Sequence, residues 1–178
     1  MDVAKLGGRI PRCLEGVRLG NLSSELDEVL GANFDAIREE TLRFGILCTC
    51  GAETGRLLGI ADGEIFRDPL VFECTGCKRT AGLFDGDVDG YNGEVEGLER
   101  KAGSAVPPPT AARDAFPCRS CRASDSFTFG VLLTYQGDDE NFEGLEPVPL
   151  QNLFDVYVLA VRCTACNAVS EPIDFECA

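Results

Sequence analysis

Eight of the ten cysteines in this 178-residue chain stand in four close pairs: Cys48-x-Cys50, Cys74-x-x-Cys77, Cys118-x-x-Cys121 and Cys163-x-x-Cys166. Two thiolates one or two residues apart can grip one metal ion from a single tight turn, and two such turns complete a tetrahedral site. Four pairs in this order therefore predict two structural Zn2+ sites. Cys48, Cys50, Cys74 and Cys77 form the first, and Cys118, Cys121, Cys163 and Cys166 the second. Paired thiols also serve as redox centres, but those sit in a βαβ frame that no segment here supplies. Iron suits four thiolates as well. The Cys-Pro-x-Cys-Gly pattern of rubredoxin-type iron sites is absent from all four turns, which favours zinc. Cys13 and Cys177 lie outside the pattern and read as ordinary thiols.

The elements that must carry these turns repeat. Residues 74–85 read CTGCKRTAGLFD and residues 163–174 read CTACNAVSEPID, with cysteine, threonine, cysteine and the last aspartate in register. Apolar strand-like runs precede both segments, at Leu70-Val71-Phe72 and at Val156 to Val161. Others follow each first pair, at Arg56 to Ile60 and at Phe127 to Leu133. Pair, strand, strand, pair, strand is an order that occurs twice. On these residues the chain resembles the zinc-ribbon superfamily over 44–85 and 116–176. The resemblance implies a mainly β fold, with two tandem zinc ribbons as small antiparallel sheets around four-cysteine metal sites. It implies little about activity, since ribbons serve many roles. One departure is the first pair, Cys-x-Cys, which demands a tighter turn at Cys48.

Around the ribbons the organisation reads as a helical segment over 1–43, ribbon 1 over 44–97, a Pro-rich linker over 98–115 and ribbon 2 over 116–178. Ser23 can cap a short helix over 23–30 whose apolar stripe is Leu22, Leu26, Val29 and Leu30. A second helix is expected from Asn33 or Asp35 through Leu42, and the segment is expected to lie on ribbon 1 as a lid. Pro107-Pro108-Pro109 favours a stiff, extended linker. The stretch between the cysteine pairs is 41 residues in ribbon 2 against 23 in ribbon 1. Residues 149–154 read as a helical turn. Asp85, Asp87, Asp89 and Glu96 match the EF-hand loop pattern. The preceding strand, the lack of flanking helices and Asn92 at the eighth position argue against calcium and for a solvated acidic turn.

Composition narrows the function. Acidic residues outnumber basic ones 30 to 16, a formal charge of −14, and there is no histidine. The missing histidine removes the commonest general base and catalytic zinc ligand. Phosphate-binding, nucleophile-elbow and dinucleotide motifs are also missing, so no enzyme is expected. The start of the chain carries no signal-like apolar run, and no stretch reaches the roughly 20 apolar residues of a membrane span. A reducing, cytoplasmic setting is expected, with no disulfides and no membrane partner. Aromatic residues are 8% and Trp is absent, so a thin core is expected.

The charge repels nucleic acid and suits a basic protein partner. The expected surface is Asp85, Asp87, Asp89, Glu94 and Glu96 in ribbon 1, with Asp138, Asp139, Glu140, Glu143 and Glu146 in ribbon 2. An immunity- or inhibitor-type protein covering a basic toxin such as a nuclease is the leading expectation. A nucleic-acid-associated ribbon, using Arg113, Arg119 and Arg122, and a structural subunit of a larger assembly are the alternatives.

Overall fold

The computed structural model describes residues 10–32, 40–62, 65–91, 93–94, 113–135 and 148–176. In order these form β1 (Arg18–Gly20), α1 (Ser24–Ala32), β2 (Glu40–Leu47), β3 (Gly55–Asp62) and β4 (Ile65–Cys74). Then come β5 (Thr80–Phe84), β6 (Asp114–Ala115), β7 (Phe127–Tyr135), β8 (Val156–Cys163) and β9 (Val169–Glu176). Among the described residues the fold is mainly β, with α1 as its one named α-helix, and the nine strands join a single curled antiparallel sheet.

The repeat seen in the sequence is a repeat of pairing. β3 pairs with β4 and β4 with β5, as β7 pairs with β8 and β8 with β9. Gly55 faces Cys74 in the first unit, and Phe127 faces Cys163 in the second. A register shift falls four residues before the cysteine in both: Leu70 pairs with Phe84, and Leu159 with Ile173, just before the slip. Such bulges sharpen strand twist and help the sheet curl. The two units meet at their starts, where Gly55 pairs with Phe127, and β2 runs along β7 from Glu40–Tyr135 to Ile46–Phe129.

β7 and β8 are apolar on both faces because both faces are covered. Phe127, Phe129, Val131, Leu133, Tyr157, Leu159 and Val161 point into the main core. Leu132, Val156, Val158 and Ala160 point the other way, against Leu26 and Leu30 of α1. The few aromatic residues are concentrated rather than spread, so the interior is fuller than the composition suggests. Phe66, Phe116, Phe127, Phe129 and Phe72 form a chain of edge and tilted contacts, with centroids 5.2 to 6.5 Å apart. Phe84 stacks on Tyr157 at 4.5 Å. Each such buried ring is worth about 1.5–3 kcal/mol of transfer free energy.

Two expectations are corrected. Residues 40–47 form β2, not the end of a second helix. Leu42, Phe44 and Ile46 recur at a spacing of two, and all three are buried. The rest of the expected helix, 33–39, lies outside the described residues, as does most of the linker, 98–112. Second, α1 lies on β7, β8 and β9, strands of the second unit, not on the first. Gly45, Gly130 and Ala160 form a cross-strand row of small residues, and the chain entering α1 crosses it. A Cβ on Gly45 would collide with the Asn21 carbonyl oxygen, and one on Gly130 would sit 2.7 Å from Leu22 Cδ1. Ser23 caps the helix as expected, its hydroxyl accepting from the Leu26 N–H at 3.4 Å. No helix among the described residues is long and apolar enough to cross a membrane.

This packing makes a testable distinction between glycines. Gly45→Ala forces backbone apart, and a loss of about 2 kcal/mol or more is expected in urea unfolding. Gly82→Ala, whose nearest neighbour is 3.8 Å from the added carbon, should stay within about 0.5 kcal/mol of the parent.

Candidate metal centres

Each cysteine pair is held in a knuckle with the same hydrogen-bond scheme. The first cysteine of each pair donates its N–H onward: Cys48 to Ala52 O, Cys74 to Arg79 O, Cys118 to Ser124 O and Cys163 to Ala168 O. Its carbonyl accepts from the residue after the second cysteine: Gly51, Lys78, Arg122 and Asn167, at 2.8 to 3.1 Å. Those four residues all have positive φ, between 53° and 91°. At Cys48-x-Cys50 the loop closes one residue sooner, which is the tighter turn the spacing requires.

The threonines of the repeat join the knuckles in pairs. Thr75 gives its N–H and its hydroxyl to the Thr54 carbonyl, at 3.2 and 3.0 Å. Thr164 gives both to the Ser126 carbonyl, each at 3.1 Å. Thr54 and Ser126 are the residues just before β3 and β7, so each threonine ties the second knuckle to the exit of the first. The repeated threonine was visible in the sequence, but its partner lies 21 or 38 residues away and has no signature of its own. Arg56, another residue the sequence did not single out, bridges the units: it meets Asp125 at 2.7 Å and Glu73 at 3.1 Å.

The result is two four-cysteine clusters, Cys48 with Cys50, Cys74 and Cys77, and Cys118 with Cys121, Cys163 and Cys166. Within each, all four sulphurs lie within 4.8 Å of one another. The first cysteine of every pair is buried and the second is more exposed. Four thiolates at about 2.3 Å from a zinc ion define a tetrahedron with edges of about 3.8 Å. Observed edges are 3.5 Å (Cys48–Cys77), 3.7 Å (Cys50–Cys74), 3.6 Å (Cys118–Cys166) and 3.9 Å (Cys121–Cys163). A disulfide would need about 2.05 Å, and all eight are free thiols. The donor set fits a tetrahedral thiophilic ion.

The electrostatics point the same way. The Cys50 N–H draws the Cys48 thiol down to about 6. Burial opposes ionisation of Cys163, but the N–H groups of Cys166 and Ala165 prevail and bring it to about 6. The exposed partners go up: Cys50 to about 11, despite the Ala52 N–H, and Cys166 to about 12, despite that of Ala168. Neighbouring sulphurs cause both rises. Four thiolates so close cannot all ionise unless a cation sits among them, so each cluster can hold one metal ion.

The acidic turn has a different structure. Asp85 Oδ1 accepts from the Asp87 N–H, and Asp89 Oδ2 accepts from the Asp85 N–H at 2.9 Å. Asp89 and Glu94 are buried, and Arg12 reaches them at 3.6 and 3.3 Å. Asn152 donates to Glu94 at 3.0 Å and accepts from the Arg12 N–H at 3.0 Å. Asp89 and Glu94 therefore tie the N-terminal segment and the turn before β8 together, and they leave the proposed acidic face. Asp87 stays exposed. Glu96 and the set from Asp138 to Glu146 lie outside the described residues, as does Cys177.

Comparisons with protein-family models, with curated proteins and with solved structures return no match.

Two outcomes are expected. Cys74→Ser should lower bound metal from two ions per chain to about one by elemental analysis, and Cys13→Ser, outside both clusters, should leave two. Burial raises Asp89 to about 6, with Arg12 opposing the rise. Its ionisation therefore costs the fold stability, a cost absent below the unfolded value and imposed as pH rises through about 6. Carboxyl NMR should place the Asp89 midpoint near 6, and Arg12→Met should move it higher.

Proposed function

We propose that this chain is a tandem zinc-ribbon protein whose two four-cysteine sites hold structural Zn2+ and whose work is protein recognition rather than catalysis. The observation that carries the metal reading is the pair of four-sulphur clusters, each with all sulphurs within 4.8 Å and two edges between 3.5 and 3.9 Å. Zinc follows from the all-thiolate donor set and from knuckles without the iron-type proline pattern. With four protein ligands per ion, no coordination position is left for a reacting water. Unbridged thiols suit a reducing compartment such as the cytoplasm.

A basic protein is the partner this reading favours, as in an immunity protein that covers a cationic toxin. Support comes from the formal charge of −14 and from a frame stiffened by metal, which presents fixed charges to an incoming surface. With Asp89 and Glu94 turned inward, the acids this reading assigns to the partner are Asp85, Asp87 and Glu96, with Asp138, Asp139, Glu140, Glu143 and Glu146. Nucleic-acid binding is the second reading, carried by the exposed bases Lys78, Arg79, Arg119 and Arg122 on the knuckles.

Affinity capture at low salt, followed by the same capture at high salt, separates the two. A basic protein should be retained and released as salt rises. Neutralising Asp138, Asp139, Glu140, Glu143 and Glu146 together should weaken its binding by about tenfold or more, whereas Asp89→Asn should not. Retention of nucleic acid by the knuckle bases, shown by an electrophoretic shift lost in Arg119→Ala/Arg122→Ala, would reverse the assignment.

A further inference from the structure

The residue that closes each knuckle distinguishes the two halves of each metal centre. Gly51, Lys78, Arg122 and Asn167 follow the second cysteine of their pairs, with φ of 91°, 62°, 53° and 61°. This left-handed conformation is disfavoured for side chains with a Cβ, and glycine and asparagine are its usual occupants. Gly51 and Asn167 obey that rule. Lys78 and Arg122 break it, and they do so once in each centre: Lys78 beside Cys77, Arg122 beside Cys121. Both side chains are exposed, and neither makes an ion pair among the described residues. Arg79 and Arg119 stand close to ligands as well, so each centre has two neighbouring bases in a chain that is otherwise strongly acidic.

Four thiolates around one divalent ion carry an excess of about two negative charges. In a chain of formal charge −14 the net field of the remaining residues adds to that excess rather than offsetting it. A cation fixed on the knuckle itself is the nearest place from which it can be offset. Lysine or arginine at the left-handed position puts the charge there, at a conformational cost that glycine or asparagine would avoid. Strain kept at a particular position points to a role for the residue that bears it.

We propose that Lys78 and Arg122 are charge-compensating residues of the two metal centres, retained against backbone preference because they hold zinc in an acidic protein. This rests on the zinc reading above. Neither residue is a ligand. Each acts through the field it places on the neighbouring thiolates, so charge should matter and side-chain identity should not.

The test is an equilibrium competition for zinc between a chromophoric chelator and the full-length protein, with wild type, Lys78→Gly, Arg122→Gly, Lys78→Arg and Arg122→Lys. At low salt each glycine variant should bind zinc at the altered centre about three- to tenfold more weakly. The Lys78→Arg and Arg122→Lys variants should match wild type. Near 1 M salt, where screening acts within about 3 Å, the difference should largely vanish. Glycine relieves the backbone, so the zinc-saturated glycine variants should melt no lower than wild type. That separates weak metal binding from a damaged fold. Glycine variants that bind zinc as tightly as wild type at low salt would overturn the proposal. So would a loss in Lys78→Arg and Arg122→Lys equal to that of the glycine variants, since backbone and not charge would then be responsible. Metal analysis of wild type keeps the two levels apart: two zinc ions with no effect of charge overturns this inference alone, and no zinc overturns the reading beneath it.

Discussion

Thiolates crowded within 4.8 Å of one another repel unless a cation lies among them, and everything else in this structure is arranged around that constraint. The knuckles supply N–H donors to individual sulphurs, for example Cys77 N–H to Cys74 and Ala165 N–H to Cys163, both at 3.4 Å. At Cys48, Cys118 and Cys163 backbone N–H groups ease ionisation, while Cys50 and Cys166 are pushed the other way by the neighbouring sulphurs. A metal ion, which each cluster could hold, would resolve the conflict and turn repulsion into cross-linking. Each cluster joins segments far apart in the chain: residues 48–50 to 74–77, and 118–121 to 163–166. Each also fixes where a strand pair begins, because Gly55 faces Cys74 and Phe127 faces Cys163.

From those two starting points the sheet grows. β3 and β4 lead away from one cluster, β7 and β8 from the other, and the pairing of Gly55 with Phe127 makes the two units one sheet. β2 extends the join along β7, and Arg56 crosses it with a double carboxylate contact. The aromatic chain from Phe66 through Phe116, Phe127 and Phe129 to Phe72 runs through the interior of the same junction. The second face of β7 and β8 is closed by α1, which the small-residue row of Gly45, Gly130 and Ala160 admits. Cysteine clusters, core and helix thus converge on β7, the strand that borders β2, β3 and β8.

The cysteine pairs, the repeat and the strands beside it were legible in the sequence because ligand spacing and apolar runs are local signals. The helix at Ser24–Ala32 was legible for the same reason, from its cap and stripe. Three things were not. β2 was hidden because its period-two pattern at Leu42, Phe44 and Ile46 follows a segment that also suits a helix. The seat of α1 depends on what glycine at 45 and 130 permits overhead, which is a property of neighbours in space. The inward turn of Asp89 and Glu94 depends on Arg12 and Asn152, both distant in sequence, and an acidic run alone suggests only solvent. Thr75 and Thr164 stood in plain register, yet their role as links between knuckles required the positions of Thr54 and Ser126.

The central claim, that metal bound by two four-cysteine clusters is what organises this sheet, is tested most directly by refolding the unfolded, reduced chain with zinc and with a strong chelator. Amide hydrogen exchange then follows β3, β4, β7 and β8. With zinc, cooperative protection should return to all four strands with two ions bound, and with chelator it should not return. Equal protection of those strands in a metal-free, disulfide-free chain would contradict the account.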